Sequence, residues 1–215
     1  MIIRRYWSMK LYLIRQVETQ GIAQGRYGYN GDLDLLTPRG QQQLTALKDF
    51  FKDKRVYQAF ASPKQSCNST AKAVHAMILG TVMELEDVDT GLFTGLTSEE
   101  AHQKFPDEAR KREEDVFNYP FLQGESYSSI APKVLNWFHT LRFDDEANYA
   151  IITHLGPLLI LLQELEGKTF DEVKHMFFAP GSITTVTREG EKWVVEELNK
   201  ELVEADDLKE KMSHD

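Results

Sequence analysis

The stretch Leu11 to Gly21, LYLIRQVETQG, is an apolar run that stops at an arginine. Leu11, Tyr12, Leu13 and Ile14 contain no Gly or Pro and read as a buried strand, so Arg15 and Gln16 are predicted to emerge at its carboxyl end. In an α/β sheet that edge is where ligands bind. A second apolar run, Tyr149 to Thr153, has the same form and ends at His154, just before an apolar helix through Leu165. A histidine there stands beside the free N–H groups of a helix start, where anions are held.

Composition narrows the class. A chain of 215 residues with 41% apolar and 27% charged residues can bury a sizeable core, and one domain over 1–215 is expected. No apolar run reaches the roughly 20 residues of a membrane span, and the N-terminus lacks the order of a secretion signal, so a cytoplasmic protein without a membrane partner is expected. Nucleic acid is excluded by a formal charge of −9 with no Lys/Arg stripe. The lone Cys67 excludes an internal disulfide framework. His75, His102, His139, His175 and His214 show no metal-ligand spacing, and neither a metal nor a cofactor is called for. Residues 1–8 precede a second methionine, Met9, and read either as a leader or as a short tail over the sheet edge. Residues 200–215 read as a charged, frayed tail.

Between the two apolar runs, 21–40 reads as a loop, and Thr37-Pro38 opens a helix with Leu44, Leu47, Phe50 and Phe51 on its apolar face. Val56 to Ser62 reads as a strand, and Pro63 precedes a helix from about Cys67 to Leu79. Val82 to Glu86 reads as a third strand. Glu99 to Val116 is charged helical cover divided by Pro106, and Ser126 to Leu141 is a helix with Ile130, Val134, Trp137, Phe138 and Leu141 on its apolar face. A terminal hairpin turns at Glu189-Gly190.

Arg15-Gln16-Val17-Glu18-Thr19 resembles the Arg-His-Gly-Glu-Thr motif of the histidine phosphatase superfamily, the phosphoglycerate-mutase-like proteins, with glutamine in place of the phosphoryl-accepting histidine. Further motifs follow in order. Gly25, Arg26, Leu36, Thr37 and Gly40 match the next loop, and Ser62-Pro63 matches a Ser-Pro-x-x-Arg motif whose phosphate-gripping arginine is here Ser66. Asp87 stands four residues before Gly91, at the place of the general-acid glutamate, with Phe93 and Thr94 in a Trp-Glu position. Gly124-Glu125-Ser126 and His154, 138 residues after Gln16, complete the frame.

The resemblance implies a three-layer α/β/α sandwich with a mostly parallel sheet. It also implies a site in which Arg15, Arg26 and His154 hold phosphate, Asp87 serves as acid, and Gln16 and Ser66 mark lost functions. An amide nitrogen, its lone pair delocalised, forms no phosphoenzyme, and loss of the arginine removes a bidentate phosphate contact. Ile22 replaces a phosphate-binding asparagine, and Val17 replaces a glycine. The expectation is a pseudophosphatase with a residual pocket for phosphate or another small anion. Two alternatives stay open: a working phosphomonoesterase rebuilt on His154, Asp87 or Cys67, and a regulatory domain that binds a protein partner over a closed pocket. Cys67 reads either as a substitute nucleophile or as a small buried packing residue. Arg15, Gln16, Asp87 and His154 are expected together at the carboxyl edge of the sheet, with Ser66 in the same cavity.

Overall fold

The computed structural model describes residues 9–28, 31–176, 178–190 and 192–204. The leader reading of 1–8 and most of the tail reading of 200–215 lie outside the described residues. The chain runs through β1 (Lys10–Arg15), α1 (Gln20–Ala23), α2 (Pro38–Phe51), β2 (Val56–Ala61), α3 (Gln65–Ala73), β3 (Ile78–Thr81), α4 (Ser98–Lys104) and α5 (Pro106–Glu114). It continues through α6 (Tyr127–Thr140), β4 (Asn148–Thr153), α7 (Leu155–Glu166), α8 (Phe170–Val173), β5 (Ile183–Glu189) and β6 (Lys192–Lys200).

The six strands form one sheet in the order β3-β2-β4-β1-β5-β6. The first four are mutually parallel, and β5 and β6 add antiparallel at one side. The central strands are apolar on both faces because both are covered. Leu11, Leu13, Tyr149 and Ile151 pack with Ile130, Val134 and Phe138 of α6 on one side. Tyr12, Ile14, Ala150 and Ile152 pack with Leu47 and Phe51 of α2 and Ala71 of α3 on the other. The result is the three-layer α/β arrangement with a mostly parallel sheet.

Register places the site. Arg15 pairs with Thr153 and Ala61 with Ile152, so β1, β4 and β2 end side by side. The ladder runs one step further, with Gln16 N–H donating to the Thr153 carbonyl at 2.9 Å and Ser62 N–H to the Ile152 carbonyl at 3.0 Å. Gln16, Ser62 and His154 therefore leave three adjacent strands at one edge.

Three local readings are corrected. The 21–40 stretch contains α1, capped by the Thr19 hydroxyl, and a 3₁₀ turn at Gly31–Asp34. The helix after Pro63 stops at Ala73, because His75 takes a left-handed conformation at φ 53° and the chain re-enters the sheet as β3. The third strand is therefore Ile78–Thr81, and Met83–Leu85 is a 3₁₀ turn. The helix starts at Thr37 and Ser126 agree with the sequence, since each hydroxyl accepts from the backbone N–H three residues on.

Candidate functional site

His154 is the N-cap residue of α7 and has no solvent exposure. Its Nε2 lies 2.9 Å from Ser62 Oγ and 3.6 Å from Cys67 Sγ. Burial pulls its pKa down to about 3, helped by the positive charges of Lys64 and Arg15, so the imidazole is neutral. Asp87 reaches the same helix start. Its carboxylate accepts from the N–H groups of Val88, at 3.0 Å, and Gly156. Burial raises its pKa to about 6 against the counteracting pull of those two donors and Arg15. A Cβ on Gly156 would sit 2.4 Å from Asp87 Oδ1 and 2.5 Å from Tyr127 Cε1, so only glycine admits the carboxylate this close.

Arg15 is buried, and its Nη1 donates to the Phe178 carbonyl. The segment that supplies this carbonyl is tied down by Gly181 N–H, which reaches the carbonyls of Arg15 and Gln16 at 3.1 and 3.0 Å. Gln16 is fully buried, and neither end of its carboxamide has a hydrogen-bond partner among the described residues. Val17 carries no backbone strain, since it is absent from the positive-φ residues; it packs in the apolar cluster with Ile14 and Cys67, and its N–H donates to Thr70 Oγ1 at 3.2 Å. Ile22 is part of α1 and half-buried.

Across the site, Ser66 lies in the first turn of α3, with its N–H donating to Asp34 Oδ2 at 3.3 Å. Among the described residues the Ser66 hydroxyl meets no oxygen or nitrogen at hydrogen-bond distance; its polar neighbour is the Cys67 sulfur. Asp34 is buried as well, and its Oδ1 has no partner among the described residues. The Cys67 thiol has no exposure, and burial, with Asp34 adding to it, pushes its pKa well up. That setting suits a packing thiol and not a nucleophile.

The fold thus gathers Arg15, Gln16, Asp87 and His154, with Ser66 on the neighbouring helix. Arg26 is engaged elsewhere. Its Nη1 donates to the Gly95 carbonyl at 2.6 Å and Glu100 at 2.7 Å, and its Nε to Gln24 at 2.9 Å, which pins its loop to α4. Ser62, Lys64 and Asp34 also act on these groups, Ser62 and Lys64 on His154 and Asp34 on Ser66, roles that the sequence alone does not indicate. Ser62 and Lys64 flank Pro63 in the Ser-Pro-x-x-Arg-like motif, whereas Asp34 meets α3 across 32 residues and carries no local signal.

The family model for the histidine phosphatase superfamily (branch 1) matches residues 11–201. The chain belongs to that superfamily. Among curated relatives, the 6-phosphofructo-2-kinase/fructose-2,6-bisphosphatase of Caenorhabditis elegans is 27% identical over 180 residues, covering 82% of this chain and 38% of the relative. The Gallus gallus protein of the same name is 28% identical over 172 residues, covering 77% and 34%. The chain therefore spans little more than a third of the length of these relatives. Among solved structures, a putative alpha-ribazole-5'-P phosphatase from Escherichia coli superposes with a TM-score of 0.81 at 21% identity, covering 90% of this chain and 97% of the other. A mycobacterial glucosyl-3-phosphoglycerate phosphatase in complex with VO3 gives 0.73 at 17% identity, covering 90% and 100%. These likenesses show the fold. Among the described residues no helix is long and apolar enough to cross a membrane, and no group of three His, Cys, Asp or Glu side chains could hold a metal ion.

Proposed function

We propose that this chain is a pseudophosphatase, a histidine phosphatase fold that has lost phosphoryl transfer. The observation that carries the reading is Gln16, which leaves β1 at the place of the phosphoryl-accepting histidine and offers a buried carboxamide with no nucleophilic lone pair. What remains is an anion site in outline: the Arg15 guanidinium, His154 and the first N–H groups of α7. It is closed from within, because the Asp87 carboxylate sits on Gly156 N–H, Asp34 on Ser66 N–H, and the Phe178 carbonyl on Arg15. A phosphate or similar oxoanion binds there only by displacing these groups, and weakly.

A rebuilt phosphomonoesterase is the second reading, favoured by one observation: a carboxyl titrating near 6 has the value of a general acid. An acid needs a nucleophile beside it. The Cys67 thiol is buried and protonated, and His154 Nε2 is engaged with Ser62 and Cys67. The test is turnover of p-nitrophenyl phosphate and fructose 2,6-bisphosphate by the wild type against Gln16→Ala, His154→Ala and Cys67→Ala. Equal background rates in all four are expected. Turnover abolished in His154→Ala or Cys67→Ala alone establishes the rebuilt enzyme instead.

A further inference from the structure

Lys64 is the N-cap residue of α3 and is half-buried. The other half-buried lysines among the described residues all have an acceptor. Lys10, Lys111, Lys168, Lys174 and Lys200 each lie within 3.2 Å of a carboxylate, and Lys54 donates to the Phe50 carbonyl at 2.7 Å and sits over that residue's ring. The Lys64 ammonium has neither an ion pair nor a hydrogen bond among the described residues. A cation that gives up hydration without gaining an acceptor is costly, and in a chain with 34 acidic residues against 25 basic ones acceptors are not scarce.

The unanswered charge lies at the site. The Lys64 N–H reaches Ser62 Oγ at 3.5 Å, and that hydroxyl lies 2.9 Å from His154 Nε2. After burial, the positive charge of Lys64 is the strongest influence holding the His154 imidazole neutral, ahead of Arg15. Two cations, one at the end of β1 and one just past β2, thus bear on one ring. Ser62, Ser66 and His154 have no exposure, so Lys64 stands where their cluster meets solvent.

Three buried groups add to it. Arg15 Nε, the Gln16 carboxamide and the Ser66 hydroxyl have no oxygen or nitrogen partner among the described residues, and all three can donate to an oxoanion. The helix starts carry Asp87 on Gly156 N–H and Asp34 on Ser66 N–H, so an entering anion is met first by side chains, and the need to displace two carboxylates keeps its binding weak. A lysine ammonium is a point charge on a long flexible stem and needs no fixed orientation. It can therefore serve from residue 64 where an arginine fork would serve from residue 66.

We infer that Lys64 supplies the α3-side charge of the residual anion site, standing in for the arginine that the resemblance places at residue 66, and that the site takes a phosphoryl group, free or as a monoester. The inference rests on the proposed anion site and not on the loss of turnover. It is tested on the full chain by isothermal titration with inorganic phosphate and with phenyl phosphate, beside a separate turnover assay. Wild type should bind at millimolar concentration. Tighter binding of phenyl phosphate identifies a monoester as the ligand, and equal or tighter binding of inorganic phosphate identifies the free ion. Lys64→Ala and Lys64→Gln, with unchanged circular dichroism spectra, should weaken binding at least about tenfold, the worth of one charge-assisted contact, and Lys64→Arg should keep it within about threefold of wild type. Lys72→Ala, at an exposed lysine in the last turn of α3, should leave binding unchanged, which separates the contact from the loss of one net charge. Wild type that binds neither compound removes the anion site and the inference together, and binding undiminished in both Lys64→Ala and Lys64→Gln overturns the inference alone. Turnover of phenyl phosphate with Lys64-dependent binding intact would contradict the pseudophosphatase reading and leave the assignment of Lys64 standing.

Discussion

The starts of α7 and α3 face the same site, and they differ in what answers their free N–H groups. At α7 the carboxylate of Asp87 shares the helix start with His154 and with the nearby charge of Arg15, and Gly156 leaves room for it. At α3 the carboxylate is Asp34, the flanking residue is Ser66, and the hydroxyl of Ser66 has no oxygen or nitrogen partner among the described residues. One helix start keeps a close-fitted set of groups, and the other has a carboxylate on the backbone where the resemblance places an arginine and its phosphate. A helix start requires acceptors for its free N–H groups, and here the protein supplies its own.

The largest effect should come from crowding the fitted side. Gly156→Ala forces a methyl group against Asp87 and the Tyr127 ring and should cost about 1–3 kcal/mol in chemical denaturation, net of the small gain alanine brings to a helix. An unchanged midpoint would mean that the close approach at α7 is not a constraint. On the other side, Asp34→Ala strips the acceptor from Ser66 N–H and should cost about 1–2 kcal/mol, with Asn at the same position recovering most of it through its amide oxygen.

Next in size is a pH effect that belongs to α7 alone. Asp87 titrates near 6 in the folded chain against an ordinary 3.8, so the folded state holds the proton more tightly. Its contribution is fully present below about pH 4 and is lost as pH rises through about 6, on the order of 1 kcal/mol for a partly buried group. Asp87→Asn should therefore gain stability relative to wild type between those limits, read from paired urea titrations. A constant difference across that range would remove the assigned shift. The smallest effect is Ser66→Ala, expected within about 0.5 kcal/mol of wild type because the deleted hydroxyl lacks an oxygen or nitrogen partner.

Much of this arrangement is legible in the sequence because it is local. Leu11 to Arg15 and Tyr149 to His154 are apolar strands buried on both faces, and each runs straight into a polar residue at the sheet edge. Thr37-Pro38 and Ser126 announce helix starts by chemistry confined to one turn. β3 reads in the sequence as a continuation of the preceding helix because Met77, Ile78 and Leu79 form a short apolar run that fits either period, and the conformation of His75 that separates them has no sequence mark. Asp34 and the Phe178 carbonyl reach the site only through tertiary packing, from loops whose residue types would serve equally well in solvent.

The proposed pseudophosphatase keeps the scaffold of the superfamily and has glutamine at residue 16. The direct test is acid-labile, alkali-stable phosphoryl trapping on wild type, Gln16→His and the double variant Gln16→His/Ser66→Arg, with folding checked by unchanged denaturation cooperativity. Wild type should trap nothing and Gln16→His little, because Arg15 alone supplies a guanidinium. The double variant should trap about ten- to a hundredfold more than Gln16→His, the worth of one charge-assisted contact, with the new guanidinium also answering Asp34. Phosphohistidine on the wild-type chain, mapped to His154 or any other histidine, would contradict the account outright.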